Sequence, residues 1–287
     1  MRKYLGGTLA ASLLLSTGLS QASENQISIS NTSDPNSNIE ILQTSDTVDL
    51  DQGAIVAGKE IKQAWEKVDG QATSIGIGPQ GDIWVVGTDG YLYKRDTAAK
   101  KWNKLTPPSS SIRFKQVTVG KNEIWALTTT SNIYRYGKSG FKLIRGELED
   151  ISAGADGSVW GVNSKSETFK WSGTSFVKTT ALASRVAALG DGSAIVVGNG
   201  NTLYQGSGSK WNSLGISARD LAIGADKTIW YVSTQKVNAN GNAIYRLDSI
   251  STKQVTKDSV AAATAVAVTP DGKPWAINAN GEIYYAR

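Results

Sequence analysis

Cationic side chains recur at one place in this 287-residue chain. An aromatic residue is followed directly by Lys94, Arg135, Lys170 and Arg246, and in the same frame by Gln205 and Tyr285. Related by symmetry, the four cations would form a partial ring of positive charge able to attract an anionic partner. Cross-strand pairing with acidic neighbours, or protection of a sheet edge, are the alternatives. The second recurrent chemistry is the amide. Asn132, Asn163, Asn199, Asn201, Asn240, Asn278 and Asn280 fall between strands, as do Gln235 and Lys236. Amides both donate and accept, which suits sugar hydroxyls, although asparagine is also an ordinary turn residue. These nine positions are the expected ligand contacts.

Much other chemistry is excluded. The chain has no histidine and no cysteine, so Ser-His-Asp and Cys-His nucleophile systems cannot be built. Zinc, haem and iron–sulfur sites lack their usual ligands, and no disulfide can form. The turns at Asp156-Gly157, Asp191-Gly192 and Asp271-Gly272 offer one carboxylate each, too few oxygens for calcium. No isolated acidic pair of the glycosidase kind stands out. No catalytic residue, metal or cofactor is expected.

The elements that must position these residues repeat. A tryptophan is followed nine residues later by an aromatic at Trp84/Tyr93, Trp125/Tyr134, Trp160/Phe169 and Trp275/Tyr284. Ile195/Tyr204 keeps the spacing with isoleucine in place of tryptophan, and Trp230/Tyr245 carries six extra residues, Gln235 to Asn240. That recurrence makes six copies of one supersecondary unit. Each copy opens with a short apolar strand, usually closed by glycine, and continues through a tight turn into the tryptophan strand, the tyrosine strand and an aromatic-led fourth strand. Asp-Gly in that turn is a strong hairpin signal. The inner strands are apolar throughout, so both faces must be covered. The last copy stops after its third strand, and Trp65-Glu66-Lys67-Val68 stands unused before the first. Joining the two ends leaves no open sheet edge. The expected fold is all-β: a six-bladed β-propeller of four-stranded antiparallel blades, closed by pairing strand 65–68 with the last repeat. The tryptophans are expected to pack between blades rather than stack on sugars.

The flanks differ. Residues 1–22 have a basic start, an apolar stretch from Leu5 to Leu19 and small residues at Ser20 and Ala22, the pattern of a signal peptide. Export to the periplasm or beyond the cell is therefore expected. Residues 23–63 form a polar extension with seven acidic and two basic residues and no aromatic one, expected to be flexible or loosely attached, with order setting in near Ile55 to Ile61. Residues 64–287 keep 26 basic and 18 acidic residues, a net of +8. For an exported protein an anionic glycan is nearer to hand than nucleic acid, for which no motif is present.

The repeat, best preserved in Asp150 to Lys170 (DISAGADGSVWGVNSKSETFK) and again at Asp220 to Trp230, resembles the tectonin repeat over roughly residues 64–287. The fourth copy departs at Ile195 and the last at Thr269. The resemblance to tectonin and to fish-egg and horseshoe-crab lectins implies a six-bladed propeller that binds surface glycans, lipopolysaccharide included. Tectonin repeats also serve protein-binding proteins, so an envelope scaffold is the alternative. Streptogramin lyases are similar in their Asp-Gly-x-x-Trp repeats but depend on histidine. The longer loop at Gln235 to Asn240 is the first choice for a ligand-specific element.

Overall fold

The computed structural model describes residues 59–287. Residues 1–22, expected to be a signal peptide, and most of the acidic extension lie outside the described residues. All regular structure described is β. The strands are β1 (Glu60–Ile61), β2 (Trp65–Ile77), β3 (Ile83–Gly87), β4 (Leu92–Asp96), β5 (Lys101–Lys104), β6 (Phe114–Val119), β7 (Ile124–Thr128) and β8 (Asn132–Gly137). They continue with β9 (Gly140–Glu147), β10 (Asp150–Ala153), β11 (Val159–Val162), β12 (Glu167–Trp171), β13 (Phe176–Ala188), β14 (Ala194–Gly198) and β15 (Thr202–Ser207). The last are β16 (Lys210–Ile223), β17 (Ile229–Asn238), β18 (Gly241–Ser249), β19 (Gln254–Ala263), β20 (Ala265–Val268), β21 (Pro274–Ile277) and β22 (Glu282–Ala286).

These strands pair as antiparallel meanders. β6 to β9 form a sheet of their own, while β20–β21–β22–β2–β3–β4–β5 and β10 through β19 run on as longer ribbons. The ribbons arise because three long strands each serve two meanders. β13 pairs β12 through Phe176–Leu182 and β14 through Ala183–Ala188. β16 divides in the same way between β15 and β17. β2 pairs β22 through Trp65–Val68, with Trp65 opposite Ala286 and Val68 opposite Ile283, and then pairs β3. The terminal strand thus lies beside the short segment that the repeats leave over. A register shift recurs on entry to the first strand of a meander, between Ala72 and Ser74, Phe114 and Gln116, Ala183 and Arg185, and Ala218 and Asp220. Each shift is one extra residue in one strand, the mark of a β-bulge.

The second strand of each meander is buried on both faces, as its unbroken apolar run requires. β3, β11, β14 and β21 are buried at every residue. Trp125, Trp160 and Trp230 are at most 1% exposed, so they are packing residues and not sugar platforms. The glycines that end first strands sit where neighbouring repeats crowd together. A Cβ on Gly78 would lie 2.5 Å from Val119 Cγ1, and one on Gly224 would lie 2.9 Å from Val268 Cγ1.

Two segments take a definite form. Residues 60–61, in the part of the extension where order was expected to set in, form β1 and run parallel to β19, Glu60 opposite Lys257 and Ile61 opposite Asp258. Apolar contact holds this end: Ile61 and Trp65 pack on the cluster around Trp230 and Val266, and Trp65 Nε1 donates to Asp258 Oδ2 at 3.0 Å. The insertion at Gln235 to Asn240 lengthens a hairpin instead of making a loose loop, because β17 and β18 pair as far as Asn238 and Gly241.

Candidate functional site: inter-repeat grooves and the central cavity

The recurrent cations are explained by register. Lys94, Arg135, Lys170 and Arg246 stand directly opposite Trp84, Trp125, Trp160 and Trp230 on the neighbouring strand. Three of them lie 5.2–5.9 Å from the centre of that tryptophan ring, within cation–π range. Where isoleucine replaces tryptophan, Gln205 faces Ile195. In the last repeat Tyr285 stacks on Trp275. Their charges are further engaged by local partners. Lys94 pairs with Asp82 at 2.6 Å, Arg135 with Glu123 at 3.4 Å and Arg246 with Asp248 at 2.6 Å, while Lys170 donates to Gly192 O. Lys94 and Arg135 thus have acidic neighbours across the hairpin, whereas Arg246 pairs along its own strand and Lys170 with a carbonyl of the next repeat.

The amides divide into two groups. Asn163 Oδ1 accepts the N–H groups of Lys165 and Glu167, and Asn278 Oδ1 those of Asn280 and Glu282. Both are turn-closing residues, and Asn278 is buried. Asn280 Nδ2 donates to Asn240 Oδ1 across two repeats, and Gln235 Oε1 accepts from Tyr245. Asn132, Asn199, Asn201, Asn240, Lys236 and Asn280 are exposed.

Two further residues of the set share a groove. Asn132 and Asn163 line one groove of about 1090 Å³, together with Leu143, Arg145, Lys165 and Phe176. A smaller groove of about 360 Å³ is lined by Gln71, Thr88, Asp89, Tyr93, Trp102 and Ile283. The two are equivalent in the repeat: Phe169 of the first and Tyr93 of the second each follow their tryptophan by nine residues, and Phe176 and Trp102 each lead the next strand. Inside the smaller groove Tyr93 donates to Asp89 at 2.7 Å. Burial and that hydrogen bond push the phenol up to about 12. Arg95 lies over Trp102 at 5.0 Å and pairs with Asp69. Each groove therefore offers aromatic surface beside polar donors and acceptors, the composition of a small-ligand cleft.

A third cavity, of about 510 Å³, is lined by the first strands β2, β6, β10, β13, β16 and β20 together. It holds a set of residues that sequence reasoning missed. Ser74, Gln116, Asp150, Arg185, Asp220 and Ala265 occupy one register position, each opposite the last apolar residue of the second strand or the residue beside it. Four of them accept the N–H of the next repeat: Ser74 from Val117, Gln116 from Ile151, Asp150 from Val186 and Asp220 from Val266, at 2.7–3.2 Å. Arg185 cannot accept. It stands between Asp150 at 3.4 Å and Asp220 at 3.9 Å. Burial pushes Asp220 up to about 6 in spite of this pairing, and burial raises Asp150 as well. The signal was there to be aligned, since a polar residue stands immediately before the apolar run of five first strands.

Comparison with known proteins agrees with the repeat. Residues 113–198 match the Tectonin domain family model. A stretch of 54 residues, 19% of the chain, is 37% identical to Tectonin-1 of Physarum polycephalum, of which it spans 25%. Among solved structures, the catalytically inactive virginiamycin B lyase of Staphylococcus aureus with quinupristin superposes with a TM-score of 0.56 at 13% identity, over 78% of this chain and 99% of that one. YCF48 bound to D1 peptide gives a TM-score of 0.52 at 16% identity, over 75% of this chain and 78% of that one. At such identities the likeness is one of propeller-like fold alone. Taken with the tryptophan register and the Asp-Gly turns, these matches support a tectonin repeat, the family model matching it over residues 113–198.

Proposed function

We propose that residues 64–287 form a closed six-bladed propeller that binds surface glycans, lipopolysaccharide or another anionic polysaccharide, through the grooves between repeats. The ring is supported by the pairing of β2 with β22 and by six first strands lining one cavity. The binding reading is carried by one observation: two grooves at equivalent repeat positions combine amides, charges and aromatic edges. Sugars have apolar ring faces and dense hydroxyls, so this mixture suits them, and several weak equivalent sites add by avidity. Arg145 and Lys165 beside Asn132 favour an acidic sugar in the larger groove. The same reading makes the protein an exported binding protein rather than an enzyme, without cofactor, metal or nucleic-acid partner. A glycan array probed with residues 59–287 tests it. The expected result is binding to a set of bacterial-envelope glycans that weakens at least about tenfold in an Asn132→Ala, Arg145→Ala double variant, since two lost polar contacts cost about 1 kcal/mol each. No glycan bound, or equal binding by the variant, rejects it.

An envelope scaffold is the second reading, favoured by the projecting β17–β18 hairpin, where Val237 is 51% exposed. A single stoichiometric protein partner recovered from envelope extract, lost on shortening that hairpin, would select it over the glycan reading.

A further inference from the structure

Three Asn-Gly pairs lie in the turns between second and third strands of the last three repeats: Asn199-Gly200, Asn240-Gly241 and Asn280-Gly281. Asparagine before glycine can cyclise on its own backbone, because glycine puts no side chain in the way of the attacking nitrogen. The attack needs that nitrogen to lose its proton, and water to open the ring. A hydrogen-bonded or buried glycine N–H is protected from both steps.

The three pairs differ in this respect. The turn recurs as four residues in which the N–H of the last donates to the carbonyl of the first: Gly90 to Gly87, Ser131 to Thr128, Ser166 to Asn163, Asn201 to Gly198 and Gly281 to Asn278, all at 2.9–3.0 Å. The last residue has a φ of 62–78° in every case. Gly281 is that last residue, so its N–H is spent on Asn278, and the Asn280 amide is tied to Asn240. Gly241 is buried, with the Ala263 backbone 2.5 Å from where a Cβ would stand. The third pair sits one residue earlier in the turn. Gly200 is central, exposed, with open space around it and a φ of 88°, and its N–H has no partner among the described residues. Asn199 is exposed and its amide is equally unpartnered there.

We propose that Asn199 is a site of spontaneous backbone-assisted deamidation in the folded protein. Gly200 N, having given up its proton, bonds to Asn199 Cγ; the Cγ–Nδ2 bond breaks and ammonia leaves with that proton. Water then opens the succinimide at Cγ, giving aspartate, or at the main-chain carbonyl carbon, giving isoaspartate. The turn of four neutral residues acquires a carboxylate, and the isoaspartyl product also lengthens the backbone by one carbon where β14 hands over to β15. This modification goes beyond the ligand reading and does not depend on it.

The test is peptide mapping by mass spectrometry of the full chain held near pH 8 at physiological temperature, natively and in concentrated urea. In the native protein Asn199 should convert roughly tenfold faster than Asn240 and Asn280, the factor that one protecting hydrogen bond supplies. In urea the three rates should converge. Asn199→Gln should remove the early product and leave the other two rates unchanged. Equal native rates at the three pairs, or a ranking that survives urea, overturns the assignment.

Discussion

Asp220 is the most informative residue to change. It lies in the central cavity with a fifth of its side chain accessible, and its carboxyl is raised from the usual 3.8 to about 6, chiefly by burial. A carboxyl that binds its proton more readily when folded contributes stability below its unfolded value, and that contribution is lost as pH rises through the folded one. Ionising Asp220 at pH 7.5 therefore costs up to about 3 kcal/mol, an upper bound because the accessible oxygen retains some solvent. Asp220→Asn keeps an oxygen for the Val266 N–H, which now stands at 2.9 Å, and leaves Arg185 balanced by Asp150 alone. The variant should be more stable than the parent at pH 7.5, by about 1–2 kcal/mol after the loss of the Arg185 contact. The advantage should vanish by about pH 4, where both carry a neutral group. Urea unfolding of both proteins at pH 4, 5.5, 6.5 and 7.5 measures the difference. Carboxylates away from this cavity, such as Glu282 held at about 2 by Lys67, titrate alike in both, so the difference reports Asp220 together with Asp150, which shares Arg185 with it. A variant less stable at pH 7.5, or a difference flat across the series, would falsify the argument.

Other outcomes follow from packing. Ile283→Ala, at a fully buried position opposite Val68, should cost about 3 kcal/mol, read as a shift in the urea midpoint. Gly161→Ala would put a Cβ 2.3 Å from Leu148 Cδ1, and overpacking of that kind costs about 1–3 kcal/mol. Adding Leu148→Ala should then cost less than the two single effects combined, a coupling visible in a double-mutant cycle. Asn163→Ala removes the acceptor of two turn N–H groups and should lose about 1–2 kcal/mol, whereas Asn199→Ala, with no partner among the described residues, should change the midpoint within error.

The frame was legible because the unbroken apolar runs and the nine-residue aromatic spacing are local. Trp160 and Phe169 differ by one hairpin, so their relation survives in the sequence. The same locality pointed to the strand 65–68, whose aromatic-led WEKV matches WNKL. The partners of the cations were harder. Facing Trp84 from Lys94 requires the hairpin register, and a turn of one more residue would send the lysine to the other face. The Asp150–Arg185–Asp220 set spans three repeats and is separated by 35 residues at each step. Only the approach of inner strands brings those groups within 4 Å. The amides misled because one residue type serves both roles: Asn163 closes a turn and still borders a groove.

The extra residue found in the first strand of four meanders bears on how such a chain changes length. A strand shared by two sheets ought to transmit any insertion to both, turning inward-facing groups outward along its whole run. The kink ahead of Ser74, Gln116, Arg185 and Asp220 breaks that transmission, because a bulge absorbs a single added or removed residue without disturbing the alternation beyond it. Outer portions of β2, β13 and β16 are then free to vary among copies while the polar groups lining the shared cavity keep their alignment.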